Sequence, residues 1–306
     1  MKISHLITAA FTTLIICACS TDGGNEITGG EETPDVKKLP VNISTILSGI
    51  EETRATDYSF ENGDEAGLYV VNRNSDGTAT DLKNTGNYID NMKFTYNSVW
   101  QSESQIYWMD DKTHADFYLY YPYTATISNV SAVPFSVNAD QSTLDAYKAG
   151  DMLAGSTMDV APTDAAVKIT VKHLMSQILI KLVAGNGFTD ETLAAANVSV
   201  KVNGVKTQST VDLATGAVTA TGTVASITPL KDGDSYKALI VPQSVAEGNL
   251  ITINVDGRDF NLKKAFSFVG GTRHKFTVTL SKTSSGINVN IGQWEDDGID
   301  NGGTAE

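Results

Sequence analysis

Short apolar stretches, separated at close intervals by turn dipeptides, run through most of this chain and restrict it to an all-β fold. Residues 68–71, 117–121, 167–171, 178–183, 198–202, 238–241, 250–255 and 275–280 are rich in the β-branched and aromatic side chains that favour strands. Asp76-Gly77, Asn203-Gly204, Asp232-Gly233 and Asp256-Gly257 are pairs that turn a chain tightly, because glycine accepts positive φ and Asn or Asp tolerates it. Helices are expected only at 141–148 and 190–196, the second with Thr189 as its N-cap. Many short strands at this spacing favour sandwiches or barrels. The polar stretch 159–164 is the expected border between domains at 55–162 and 163–306, and no repeat relates the two halves.

Covalent staples are excluded from holding such a fold together. The chain has two cysteines, Cys17 and Cys19, both at the end of an apolar N-terminal segment. Lys2 supplies a positive charge there, and 6–16 is apolar apart from Thr8, Thr12 and Thr13. A positive start, a short apolar run and a small-residue cleavage site describe an export signal. A membrane anchor would need about 20 apolar residues. Ala18 precedes Cys19, whereas bulky Ile16 precedes Cys17, so Cys19 is the expected lipid acceptor and 1–18 the signal peptide. The chain after residue 18 then rests on its hydrophobic core, for which 306 residues are ample.

The formal net charge of -14 becomes -15 when Lys2 leaves with the leader. An acidic surface argues against nucleic acid, which is held by Lys and Arg on phosphates. Residues 19–38 are rich in Gly, Thr and acid, with little to bury, and are expected to be a flexible tether. Val41, Ile43, Thr45 and Leu47 then share one face of an alternating first strand, and 49–56 interrupts it with charge.

Catalytic and metal-binding patterns do not emerge. His114, His173 and His274 are far apart in sequence, with no His or Cys pair at ligand spacing, and each is expected to be a surface or satisfied core residue. No G-x-S-x-G elbow, phosphate-cradling glycine loop or H-E-x-x-H run occurs. Asp110 and Asp111 form a carboxylate pair of the kind an acidic chain contains without function. Glu295-Asp296-Asp297, acidic and near a turn, is the one calcium-site candidate, although it lacks the ordered ligand spacing of an EF-hand loop. No metal, cofactor or catalytic residue is expected. The run Phe117-Tyr118-Leu119-Tyr120-Tyr121-Pro122-Tyr123 could stack sugars, but an alternating strand packs one face inside, and core packing is the expected role.

A series of motifs in fixed order carries a family resemblance. Phe60-Glu61-Asn62-Gly63-Asp64 runs into Gly67-Leu68-Tyr69-Val70; Ile106-Tyr107-Trp108 precedes the aromatic strand; Asp151-Met152-Leu153-Ala154 precedes His173-Leu174-Met175-Ser176-Gln177-Ile178. Val241-Pro242-Gln243, Gly271-Thr272-Arg273-His274-Lys275-Phe276 and Ile291-Gly292-Gln293-Trp294 complete it. Together these cover about residues 58–298 and resemble the fimbrillins, the lipoprotein-derived subunits of type V pili. His274-Lys275-Phe276 departs slightly, where the family often has tyrosine. The resemblance implies two transthyretin-like β-sandwich domains, export as a lipoprotein, and removal of the first strand by an arginine-specific protease at the cell surface. Carried onto this chain, 39–54 is the removable segment and the cut falls between Arg54 and Ala55. After the leader the arginines are Arg54, Arg73, Arg258 and Arg273, and Arg54 alone sits in a polar link just after the first strand.

Loss of 19–54 would discard seven acids and three bases, leaving a charge of -11. It would also expose apolar side chains and an unpaired sheet edge, which is a template for another strand. In 286–294, Ile287, Val289 and Ile291 share one face in the alternation of the departing strand, so this segment of a neighbouring subunit is the expected donor. The plainer alternative makes it the last strand of its own domain. Such head-to-tail contacts do not close on themselves and generate a filament. The expectation is therefore a structural subunit of a fimbria at the outer membrane and cell surface, partnered by other fimbrial subunits and the protease. It is a stalk subunit first and a tip subunit second. A lipid-anchored glycan-binding protein, uncut and with residues 117–123 facing solvent, is the rival; an envelope hydrolase has almost no residue-level support.

Overall fold

The structure is a computed structural model that describes residues 38–48, 59–282 and 303–305. In the first half the strands are β1 (Ile43–Leu47), β2 (Glu65–Asn72), β3 (Ile89–Asn97), β4 (Val99–Ser102), β5 (Ala115–Tyr121), β6 (Val133–Ser136), β7 (Leu153–Val160) and β8 (Val167–His173). They are followed by β9 (Ser176–Ala184), β10 (Val198–Val211), β11 (Val218–Ile227), β12 (Leu230–Asp232), β13 (Ser235–Ile240) and β14 (Gln243–Val245). The last are β15 (Asn249–Val255), β16 (Arg258–Lys263), β17 (Phe266–Phe268), β18 (Arg273–Leu280) and β19 (Gly303–Ala305). Two short helices, α1 (Leu144–Lys148) and α2 (Asp190–Ala195), lie in connections. The all-β class expected from the spacing is what forms. The Thr143 hydroxyl accepts from the Ala146 N–H to cap α1, and Thr189 caps α2 in a reciprocal capping box with Thr192.

Local turn chemistry behaves as expected at Asp256-Gly257, where both residues have positive φ and close the β15–β16 hairpin. At Asn203-Gly204 the expectation of a turn is overturned. β10 runs straight through it, the register against β11 shifts there, and Gly204 has a φ of 76°. A glycine with positive φ serves a β-bulge as readily as a turn, and β10 has partner strands along its whole length.

A seven-stranded sheet has the order β1-β8-β7-β5-β2-β3-β4. The sheet β11-β10-β15-β16, joined by β6, and the sheet β12-β13-β9-β18-β19 make up most of the remainder, with β14-β17 as a small ribbon. β8 belongs to the first sheet, beside β1 and β7. The polar stretch 159–164 connects β7 to β8, which pair with each other in the first sheet; after the earlier excursion of β6 to β10, the chain leaves that sheet for the others between His173 and Ser176. A short polar link marks a hairpin as well as a domain border, and only strand pairing separates the two cases.

Two apolar cores result. The first collects Ile43, Leu68, Val70, Phe94, Trp100, Phe117, Leu119, Leu153 and Ile169, one or more from every strand of the seven-stranded sheet. The second collects Ile178, Ile180, Val202, Ile251, Phe260 and Phe276 from both five-stranded sheets, together with Tyr69, Val71, Tyr118 and Tyr120. β2 and β5 therefore bury both faces, and alternate residues along each enter different cores. This goes beyond the half-buried strand expected at 117–121: Tyr120 is 1 % exposed, and its hydroxyl donates to Asn91 Oδ1 and to the Thr124 carbonyl instead of reaching water.

Close approach of β7 to β8 depends on Gly155, where a Cβ would overlap the Thr170 carbonyl and lie 2.8 Å from Val171 Cα. Both are backbone atoms of a paired strand and cannot swing aside. Gly155→Ala is expected to destabilise the chain by about 3 kcal/mol in urea unfolding, the upper end for overpacking. Gly248→Ala, with no atom closer than 4.0 Å, should change little.

Burial pushes the Tyr69 phenol up to about 12 and raises Tyr120 further. The folded state thus holds protons that the unfolded chain releases near the ordinary value of about 10. Their contribution to stability is complete below pH 10 and is lost as pH rises from about 10 to 12. Absorbance titration of tyrosinate should show these two ionising only together with unfolding.

Candidate functional site

Among the described residues, β1 is the one strand of the first sheet that precedes Arg54 in sequence, and it occupies an edge. It runs parallel to β8 with Ile43 opposite Val167, Thr45 opposite Ile169 and Leu47 opposite Val171. The ladder is extended at both ends, by Val167 N–H to the Asn42 carbonyl at 2.8 Å and Ser48 N–H to the Val171 carbonyl at 2.9 Å. On its other side the approach to β1 is held by the segment 106–108. Val41 donates to the Ile106 carbonyl and Trp108 donates to the Leu39 carbonyl, both at 2.9 Å. Residues 39–41 are thus bonded to 106–108, whereas 42–48 finds its backbone partner on the β8 side.

The alternation expected for this strand is realised. Val41 and Ile43 are buried, Thr45 and Leu47 are half-buried, and Ile46 is 51 % exposed. The buried pair enters the first core beside Ile106, Trp108, Val167 and Ile169. One further bond crosses from the opposite edge of the sheet: the Trp100 indole Nε1–H of β4 donates to Thr45 Oγ1 at 3.0 Å. The two edge strands therefore face each other over the first core, with β1 as the lid along one side. Together these make a strand-shaped slot whose walls are β8, residues 106–108 and Trp100.

Other residues singled out from the sequence are not gathered here. His114 Nδ1 lies 2.8 Å from Asp159 Oδ1, and His173 Nδ1 lies 2.8 Å from Asp151 Oδ1. His274 is buried against the edges of Phe266 and Phe268, and its Nε2 accepts the Val269 N–H. The Asp110 carboxylate accepts from the backbone of Thr113 and Lys112, which holds it below the usual carboxylate range and occupies it in a turn. Among the described residues no group of three or more His, Cys, Asp or Glu could hold a metal ion. Tyr118 and Tyr120 are buried in the second core and Phe117 and Leu119 in the first. Residues 117–120 are therefore packed inside, and Tyr121, Pro122 and Tyr123 are half-buried.

Cys19, Arg54, Ala55, residues 19–37 of the tether 19–38, the donor segment with Ile287, Val289 and Ile291, and Glu295-Asp296-Asp297 lie outside the described residues. Trp100 had no place among the expected site residues. Its partner is 55 residues earlier, and nothing in Val99-Trp100-Gln101 announces so distant a contact.

Comparison with known proteins agrees with this architecture. The profile of the Fimbrillin-like family matches residues 53–294. A protein of Bacteroides uniformis named "Putative fimbrium subunit Fim1C" is 30% identical over 309 residues, spanning 96% of each chain. A Bacteroides ovatus protein named "Putative fimbrium tip subunit Fim1C" is 26% identical over 47% of this chain and 28% of its own length. The crystal structure of a "putative cell adhesion protein" from Bacteroides uniformis has the same fold, with a TM-score of 0.61 at 23% identity over 81% of this chain and 94% of that one. A two-core β architecture with an edge strand ahead of Arg54, matched over most of its length by such a profile and such a relative, places the chain in the fimbrillin-like family.

Proposed function

We propose that this chain is a structural subunit of a cell-surface fimbria, exported as a lipoprotein through Cys19 and cut between Arg54 and Ala55 by an arginine-specific protease. Polymerisation then proceeds by strand exchange. The observation that carries the reading is the position of β1. It is an edge strand that closes the first core with Val41 and Ile43, and it is joined to β2 through the stretch that contains Arg54. One backbone cut there leaves β1 held by hydrogen bonds and apolar contacts alone.

Leaving takes with it the lipid and the tether, so the subunit passes from the outer membrane to the fimbrium. It also leaves unpaired backbone along β8 and at Ile106 and Trp108, beside an apolar floor. Unpaired strand edges next to exposed apolar side chains are strongly driven to take up another strand. The donor is 286–294 of a neighbouring subunit. Ile287, Val289 and Ile291 would contribute about 5–9 kcal/mol by burial, at about 1.5–3 kcal/mol for each large aliphatic. Partners are accordingly other fimbrial subunits and the protease, and the role is structural, supporting adhesion without catalysis.

A tip position is the second reading, favoured by the partial match to the protein named as a tip subunit. It keeps the cut and the slot but removes the requirement for a donor, because a tip accepts a strand and passes none on.

Protein recovered from the cell surface should begin at Ala55, lack lipid and form ladders of higher mass. With Arg54→Ala, or without the protease, it should begin at acylated Cys19 and stay monomeric. Intact mass and N-terminal sequencing decide this, and an uncut wild-type chain within assembled fimbriae would overturn the reading.

Truncation after Ser285 should leave a folded monomer that forms no polymer. Loss of the fold itself would defeat the donor assignment, and a truncated subunit still incorporated at fimbrial ends would favour the tip position.

A further inference from the structure

Resting on the exchange reading above, we propose that Trp100 determines which strand the slot accepts: it selects, at the place held by Thr45, a side chain that carries an oxygen. Trp100 is 8 % exposed, and its ring is fixed by edge-on contacts with Phe60 at 4.8 Å and Tyr96 at 5.2 Å. Phe60 is itself braced by Tyr121 at 5.6 Å. An indole held in this way cannot turn its N–H elsewhere, and its partner in the uncut chain is Thr45 Oγ1.

While the slot is open, water can satisfy that N–H. Once a strand fills the slot and excludes water, the donor is met only if the strand brings an acceptor to the position opposite Ile169. A valine or isoleucine there strands a buried N–H, a larger loss than the hydrogen bond itself would have gained. The slot thus reads a pattern: large aliphatics at the places of Val41 and Ile43, then a hydroxyl or amide oxygen two residues on, in a strand parallel to β8.

The chain's own donor segment offers Ile287, Val289 and Ile291 on its matching face, with no oxygen at any of them. β1 therefore holds an advantage over this segment at Thr45. That advantage delays exchange until the cut, and a partner subunit whose donor carries Ser, Thr or Asn at the third inward position is preferred over a second copy of this chain.

Peptide competition tests the selection. The full chain is cut after Arg54, with the cut verified by mass, so that residues 39–48 are held non-covalently. Synthetic peptides of that sequence are then offered in three forms: native, Thr45→Ser and Thr45→Val. The native and serine peptides should displace the bound strand equally well. The valine peptide should be weaker by about tenfold, the equivalent of about 1.4 kcal/mol. In Trp100→Phe the valine penalty should vanish, which loss of packing alone would not produce. Equal binding of native and valine peptides to the wild-type protein, or a penalty that survives in Trp100→Phe, overturns the assignment to Trp100 while leaving exchange intact. If no peptide enters a cut protein that circular dichroism shows to be folded, strand exchange itself fails, and the selection with it.

Discussion

The pairing of β2 with β5 is the interaction on which the rest of the structure depends. The two strands pair over Gly67–Asn72 and Ala115–Tyr120, and neither presents a wholly solvent-facing side. Leu68, Val70, Phe117 and Leu119 enter one core, and Tyr69, Val71, Tyr118 and Tyr120 enter the other. A side-chain period of two is what permits this division, because a slip of one residue would send every side chain to the wrong core. Gly67 belongs to the same constraint: a Cβ there would collide with the ring of Tyr120 on the paired strand.

The end of this pair is fixed by charge. Arg73, just beyond β2, places Nε 2.9 Å from Asp116 Oδ1, and the Asp159 N–H donates to the same oxygen at 2.7 Å. Three neighbouring strands, β2, β5 and β7, are thereby tied through one fully buried carboxylate. A buried charge is costly unless it is paired and hydrogen-bonded, and here Oδ1 takes both partners while Oδ2 is buried without one, so the cluster favours the register that keeps Arg73 and the Asp159 N–H in place.

Against this rigid centre, β1 is a different kind of element. Its buried apolar contribution comes chiefly from Val41 and Ile43, its backbone is paired mainly with β8, and its outer face carries the exposed Ile46. The energy that holds it comes from main-chain bonds, which are indifferent to sequence, and from the burial of two aliphatic side chains. Trp100 is the exception, being a directional donor in an otherwise apolar wall. The fold thus combines a centre that tolerates one arrangement with a margin held by fewer and less specific contacts.

Much of this was legible in the sequence, and for a local reason. The strands at 68–71, 117–121, 167–171 and 250–255, the Asp256-Gly257 turn and the Thr189 cap are set by neighbours within a few residues, where period, β-branching and turn chemistry act directly. The alternation at Val41 and Ile43 likewise belongs to the strand itself. What tertiary structure alone decided was who pairs with whom. It carried β8 back into the first sheet across an apparent domain border, let β10 continue through Asn203-Gly204, buried both faces of β5, and brought Trp100 to Thr45. Each of these turns on contacts between residues far apart in the chain, and a periodic pattern reports which face of a strand is apolar without reporting what that face will meet.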